Sequence, residues 1–170
     1  MTIRRFVLAA ALLCLFTLPA LADEPKLIST SGDWSAYSFK EGNGTVCYMA
    51  SQPKKAEGKY TKRDPVFALI THRPAENTHN VFSYIAGYTY KTGSDVILTI
   101  DDKTFNLFTH KDMAWAKDAD TDNRITDAVK KGSKMVVKGT SARGTETTDT
   151  YSLKGSGTAH DAIDKACKTK

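Results

Sequence analysis

The chain has 170 residues, 41% of them apolar and 25% charged, with a formal charge of +5. Those proportions belong to a globular protein, and they exclude collagen-like repeats, a disordered chain and a multispanning membrane protein. The length suits one domain with a real core, not two. In chain order the first feature is a leader. Arg4-Arg5 make a positive start, Phe6 to Leu18 an apolar run, and Ala20-Leu21-Ala22 a small-x-small site ahead of Asp23. The apolar run falls short of the ~20 residues that span a bilayer. Cleavage is expected between Ala22 and Asp23. Residues 1–22 are then a signal peptide and residues 23–170 a single β-rich domain, periplasmic or secreted. Removing Arg4 and Arg5 leaves the remainder at +3. Leu13 ahead of Cys14 does not fit a lipid-attachment box, so Cys14 is expected to leave with the leader.

Most later segments read as strands. Asp33 to Phe39 and Thr45 to Ser51 carry aromatic and β-branched residues, and Asn43-Gly44 between them predicts a two-residue hairpin turn. Val66 to Thr71 is the most apolar run and predicts a central strand buried on both faces. Val81 to Tyr90 and Val96 to Ile100 follow. After Asp101-Asp102, Lys103 to Thr109 puts Phe105 and Leu107 on one face and Asn106 and Phe108 on the other. Asp118, Asp120 and Asp122 alternate as in a calcium loop. That reading fails because Asn123 stands where the loop needs Gly and Val129 where it needs Glu, so a polar entry to a helix is expected. Helix one is predicted over about Asp122 to Lys131, capped by Thr121 or Asp122, with Ile125, Ala128 and Val129 on one stripe and Gly132 as the stop. Lys134 to Gly139 and Thr145 to Leu153 complete the strands, with the Thr140 to Gly144 segment as the turn. Helix two is predicted over about Ala159 to Lys168, capped by Thr158, with Ala159, Ala162, Ile163 and Ala166 on one stripe. The fold class is therefore mainly β: an antiparallel sandwich or small barrel with two short helices, the last at the C-terminus.

Two cysteines remain after the leader, Cys47 and Cys167. In an oxidising compartment two such thiols are expected to pair, which would pin the last helix to the hairpin strand carrying Cys47. His72, His79, His110 and His160 stand at no zinc-binding spacing, so neither a metal nor a cofactor is expected. Gly139-Thr140-Ser141-Ala142-Arg143-Gly144 resembles a nucleophile elbow but has one residue too many and no following helix. Its Ser141 and Arg143 still offer an anion-binding turn. Tyr84, Tyr88 and Tyr90 cluster in one strand region and are either packing residues or a recognition surface. The lysines are spread along the chain, as on a solvated surface and not a nucleic-acid stripe.

Several blocks, taken in order, resemble one known family. They are Ser31-Gly32-Asp33-Trp34, Val46-Cys47-Tyr48-Met49-Ala50-Ser51-Gln52-Pro53, Thr71-His72-Arg73-Pro74, Val137 to Thr145, and Tyr151-Ser152-Leu153-Lys154-Gly155 before an Ala-rich helix and Cys167. They are similar to the invasion-associated locus B family of secreted alphaproteobacterial proteins. The resemblance implies an exported, mostly β domain, associated in some pathogens with invasion of host cells. Two departures stand out. No Cys follows the Gly-Asp-Trp block closely, which removes one possible disulfide, and Ser156 stands where relatives carry Phe. The family supplies no catalytic motif to transfer.

The expected function is non-enzymatic binding of a protein or glycan in the envelope or on a host cell, with Ser141, Arg143, Tyr84, Tyr88 and Tyr90 as the surface. No nucleic acid and no transmembrane segment after cleavage are expected. The alternatives are a small-ligand carrier with a cavity inside the sheet, and a hydrolase using Ser141, Arg143 and one histidine.

Overall fold

The structure, a computed structural model, describes residues 24–169, so the leader and the Ala22–Asp23 junction lie outside it. The strands are β1 (Lys26–Ser31), β2 (Trp34–Glu41), β3 (Gly44–Ser51), β4 (Lys55–Gly58), β5 (Phe67–Arg73), β6 (Thr78–Ile85), β7 (Val96–Ile100), β8 (Lys103–His110), β9 (Met113–Trp115), β10 (Lys134–Thr140) and β11 (Glu146–Ser152). The helices are α1 (Ala119–Lys131) and α2 (Ser156–Cys167). The strands form one 11-stranded sheet in the order β1-β2-β3-β5-β6-β9-β8-β7-β10-β11-β4. Every pairing is antiparallel. The sheet is open, with β1 and β4 at its edges, so the barrel alternative is not realised. Strand β8 joins its two halves: Lys103 to Leu107 pair with β7, and Phe108 to His110 pair with β9.

The core lies between this sheet and the helices, around Trp34, Met49, Ile70, Phe82, Leu98, Ile125 and Ile163. Helix α1 packs on β6, and α2 packs on β2 and β3. Strand β5 was expected to be buried on both faces, but it alternates: Ala68, Ile70 and His72 are buried while Phe67, Leu69 and Thr71 are half-covered. An antiparallel sheet with one face toward the core needs only that alternation. On β8 the expected faces hold, with Phe105 and Leu107 buried and Asn106 and Phe108 exposed.

Several ends differ from the sequence reading, each for a local reason. In the β2–β3 hairpin Glu41 pairs with Gly44, so the two turn residues are Gly42-Asn43, one place earlier than expected, and Gly42 takes the positive φ of +55°. Helix α1 begins earlier because Asp118 accepts a hydrogen bond from the Thr121 amide at 2.8 Å. Thr121 and Asp122 are thereby drawn inside the helix and buried. Helix α2 also begins earlier, behind Gly155 at φ +88°, with no side-chain cap; Thr158 is exposed within it. Strands β1, β4 and β9 were not expected, being short, polar or at an edge.

The recurring sequence blocks meet at one junction. The Asp33 amide donates to the Lys154 carbonyl at 2.9 Å, and the Trp34 indole donates to the Ser152 carbonyl at 3.1 Å. The Ser51 hydroxyl donates to the Asp33 carbonyl at 2.7 Å. A Cβ on Gly155 would sit 2.0 Å from the Ser31 carbonyl oxygen, so only glycine lets the two segments approach. Ser156 is buried and donates to the Val129 carbonyl at 2.7 Å, which ties α2 to α1.

Cys47 on β3 and Cys167 at the end of α2 are joined by a disulfide, with Cα atoms 5.9 Å apart across a sequence separation of 120 residues. Closing so long a loop stabilises the fold by about 4–5 kcal/mol in the chain-entropy picture. Cys47→Ala with Cys167→Ala should lose several kcal/mol in chemical denaturation, and reductant should move only the parent's midpoint. A reductant-insensitive parent would contradict the cross-link.

Candidate functional site: a cationic recess over a buried arginine

The expected surface tyrosines turn out to be mostly interior. Tyr84 and Tyr90 are buried, and Tyr88 is half-buried. Tyr84 lies on β6, and its hydroxyl donates to Asp149 on β11. The same carboxylate receives a two-pronged contact from Arg63, Nη1 to Oδ1 and Nη2 to Oδ2, both at 2.7 Å. Arg63 comes from the long segment between β4 and β5, and its Nε donates to the Ala86 carbonyl at 2.6 Å. Its guanidinium lies over the rings of Tyr88, at 4.9 Å, and Tyr60, at 5.5 Å. Burial opposes the charge on Arg63, but the hydrogen bonds and charge of Asp149 outweigh it and hold the group protonated. Burial, above all, raises the hydroxyl pKa values of Tyr84, Tyr88 and Tyr90.

Arg63 lines the floor of an open recess of about 670 Å³, with its partner Asp149 behind it. Its walls are the segment 59–64, the stretch 87–89 and the β10–β11 turn. The turn is tight: the Gly144 amide donates to the Ser141 carbonyl at 2.8 Å, and the Thr145 amide donates to the Ser141 hydroxyl at 3.1 Å. Arg143 stands exposed at its tip, while Ser141 is buried beneath it. Opposite, the Asp64 amide donates to the Gly87 carbonyl at 3.0 Å, and a Cβ on Gly87 would come within 2.1 Å of the Asp64 carbonyl oxygen. A second open recess of about 1140 Å³ adjoins the first, sharing Lys59, Arg143 and Thr145 and adding Lys91. Of the expected surface residues, Ser141, Arg143 and Tyr88 thus meet in one place, whereas Tyr84 and Tyr90 lie beneath it. Lys59, Lys62 and Lys91 were missed. In sequence they look like scattered lysines, and only the folding together of three segments groups them.

A second polar cluster sits beside the disulfide. His72 lies directly across from Cys47 in the β3–β5 register. Its Nε2 is 3.0 Å from one Asp164 oxygen, and Nδ1 of His160 is 3.1 Å from the other. These are ion-pair distances, yet neither contact is aligned as a hydrogen bond. Three ligand-type atoms so close could suggest a metal centre. The tautomers argue otherwise. The Asn80 amide donates to His72 Nδ1 at 3.0 Å, so the neutral ring carries its proton on Nε2, facing Asp164. A metal on Nε2 would force that proton onto Nδ1, against the Asn80 N–H. The other nitrogen of His160, Nε2, is 2.9 Å from the Asn80 side-chain oxygen. The cluster therefore reads as a hydrogen-bonded lock between β5, the β6 start and α2. His79 lies beside it with its ring tilted 57° to that of His72 and is exposed, and His110 is exposed at the end of β8.

The architecture is that of a β-rich domain with a disulfide-pinned terminal helix and a surface recess of cations, hydroxyls and tyrosine rings. The chain belongs to the family described as invasion associated locus B (IalB) protein, whose family model matches residues 34–164. Among solved structures it is similar to invasion associated protein B from Bartonella henselae. The identity is 15%, the TM-score 0.58, and the match covers 88% of this chain and 98% of that one. At that identity the likeness shows the fold. No curated protein matches the chain.

Two measurements check these assignments. Asp149→Asn should strand the Arg63 charge in the interior and cost about 3–5 kcal/mol of stability, whereas Arg63→Met with Asp149→Leu should recover much of it. Equal losses in both, read by urea denaturation, would remove the pair from its central place. The second concerns pH. Burial lowers His72 from 6.5 to about 4, against the pull of Asp164, and lowers His160 too. Both rings bind fewer protons folded than unfolded, so stability is full above the unfolded histidine value and falls as pH drops toward about 4. Asp122, whose Oδ1 accepts the Phe82 amide at 2.8 Å, is raised by burial from 3.8 to about 6 and works in the opposite sense below that pH. Two imidazoles outweigh one carboxyl, so the parent should weaken from pH 7 to pH 5, and Asp122→Asn should weaken more steeply. A flat profile in both would refute the buried neutral rings.

Proposed function

We propose that the chain is an exported, non-enzymatic binding protein of the cell envelope or exterior, and that the recess between segment 59–64, stretch 87–89 and the β10–β11 turn is its contact face. The observation that carries this reading is the make-up of the recess: exposed Arg143, Lys59 and Lys62 on fixed backbone, over a floor held by a buried ion pair. A rigid wall with freely presented charge is a binding surface, because little order has to be created on contact. The leader read from Arg4 to Ala22, the Cys47–Cys167 bond and the family description support export. Among the described residues no helix is long and apolar enough to cross a membrane. The family is named for invasion, and a host surface is one setting in which such a contact face would act.

The two alternatives have less support. A hydrolase built on Ser141 needs a base, yet that hydroxyl accepts the Thr145 amide within its own turn and no histidine lines either recess. A carrier needs an enclosed cavity, and the interior is filled by Trp34, Tyr84, Tyr151, Phe82 and Met49.

A photo-crosslinking residue placed at Lys62 in the full exported chain should capture a discrete partner from its own cells or their surroundings, and one placed at Lys131 should not. Capture at both positions alike, or at neither, would sink the recess as the contact face.

A further inference from the structure

We propose that the double recess binds an acidic polysaccharide, a chain of sugars bearing carboxylate or sulfate groups. This rests on the binding reading above and gives it a ligand class.

The charge is the first observation. The two recesses are lined by Lys59, Lys62, Lys91 and Arg143, and against these stand Asp64 and Glu146. None of the four cations is in an ion pair with a described residue. Arg63 does not add to the count, because Asp149 neutralises it. The surplus is therefore positive and presented to solvent, where it attracts a polyanion.

The second observation is how those cations are held. They come from three separate segments, and each segment is held by hydrogen bonds. Lys59 and Lys62 flank Tyr60, whose hydroxyl donates to the Ala56 carbonyl at 3.1 Å. Lys91 opens a turn closed by the Ser94 amide at 3.0 Å, and its own amide donates to the Thr140 carbonyl at 3.0 Å. Arg143 tips the β10–β11 turn. The charges thus mark out a path from one recess into the next, with Lys59 and Arg143 at the shared boundary. A ligand carrying repeated negative groups can follow that path; a single small anion would meet only part of it.

The third observation selects sugar. Between the cations lie hydroxyls of Thr61, Thr89, Thr145 and Thr147, and the rings of Tyr60 and Tyr88. Tyr88 is committed at its hydroxyl, which is 2.7 Å from the Thr147 hydroxyl, so its ring presents a fixed edge. Tyr60 is 37% exposed. Hydroxyls that donate and accept, together with the part-exposed Tyr60 ring and the edge of Tyr88, match the alternating hydroxyl and C–H surfaces of a pyranose ring. The first volume falls within the ~300–1,000 Å³ of pockets that take drug-sized ligands, and the second, about 1140 Å³, exceeds it, as a longer ligand requires.

The test uses the full exported chain and defined oligosaccharides in calorimetric titration: an oligogalacturonate for carboxylates, a heparin-derived oligosaccharide for sulfates, and a neutral dextran of like length. One or both acidic probes should bind and the dextran should not, and which of them binds tells carboxylate from sulfate recognition. Affinity should fall from low salt to about 0.15 M. Lys62→Ala with Arg143→Ala should weaken binding roughly tenfold or more, and Tyr60→Ala should weaken it too. Lys131→Ala with Lys165→Ala, at positions lining neither recess, should leave it unchanged. Equal weakening by both double variants would overturn the proposal. So would binding of a single-stranded oligonucleotide of matched charge as tightly as the best acidic sugar. If neither acidic probe binds while Lys62 still crosslinks a discrete partner, the ligand class is wrong and the contact face stands.

Discussion

The recess depends on one buried ion pair. Arg63 reaches inward from a segment with no secondary structure and meets Asp149 on β11 with two parallel hydrogen bonds. A buried guanidinium is costly unless its donors are filled, and here Asp149 and the Ala86 carbonyl fill three of them. The same carboxylate takes the Tyr84 hydroxyl, so one side chain on β11 fixes both a loop and a tyrosine from β6. Without that anchor, residues 59–64 would have only short backbone contacts to hold them, and the wall of the recess would have no fixed shape. The ordering of the loop, and not the stability of the pair by itself, is what gives it consequence.

At the other end of the molecule a covalent constraint does similar work. The Cys47–Cys167 bond holds the last turn of α2 against β3, and His72, His160 and Asp164 fill the space beside it with polar contacts. The junction of Gly32, Trp34 and Gly155 holds the first turn of the same helix. The sequence blocks shared with the invasion associated locus B family mostly fall at these two places. They are therefore fold-making residues, which is why the resemblance conveys architecture far more readily than it conveys a ligand. The recess draws on fewer of them, chiefly the Ser141–Thr145 turn.

Export and binding then join in a consistent picture. The Cys47–Cys167 disulfide suits a chain that works outside the reducing cytoplasm, as the leader expected from the sequence does. A packed interior leaves the surface as the place for contact, and the double recess gathers four cations, Lys59, Lys62, Lys91 and Arg143, from separate segments. The scattered lysines of the sequence become a patch because the segments that follow β4 and β6 meet the β10–β11 turn.

Local periodicity was enough to determine much of this protein. Strand alternation in β8, the two helices, the hairpin between β2 and β3, and the pairing of two remaining cysteines all follow from short-range chemistry or simple counting. What it misjudged were details of local geometry and positions whose state depends on distant partners. Asp118 became the α1 cap and Gly42 a turn residue through details of local geometry. Tyr84 and Tyr90 became interior because other strands cover them. Two histidines nearly ninety positions apart, His72 and His160, converge with Asp164 because α2 returns across β5. The recess is a product of tertiary structure in the same sense. Its residues lie in segments far apart along the chain, and burial, charge pairing and shape are properties of that assembled neighbourhood, which no window of sequence contains.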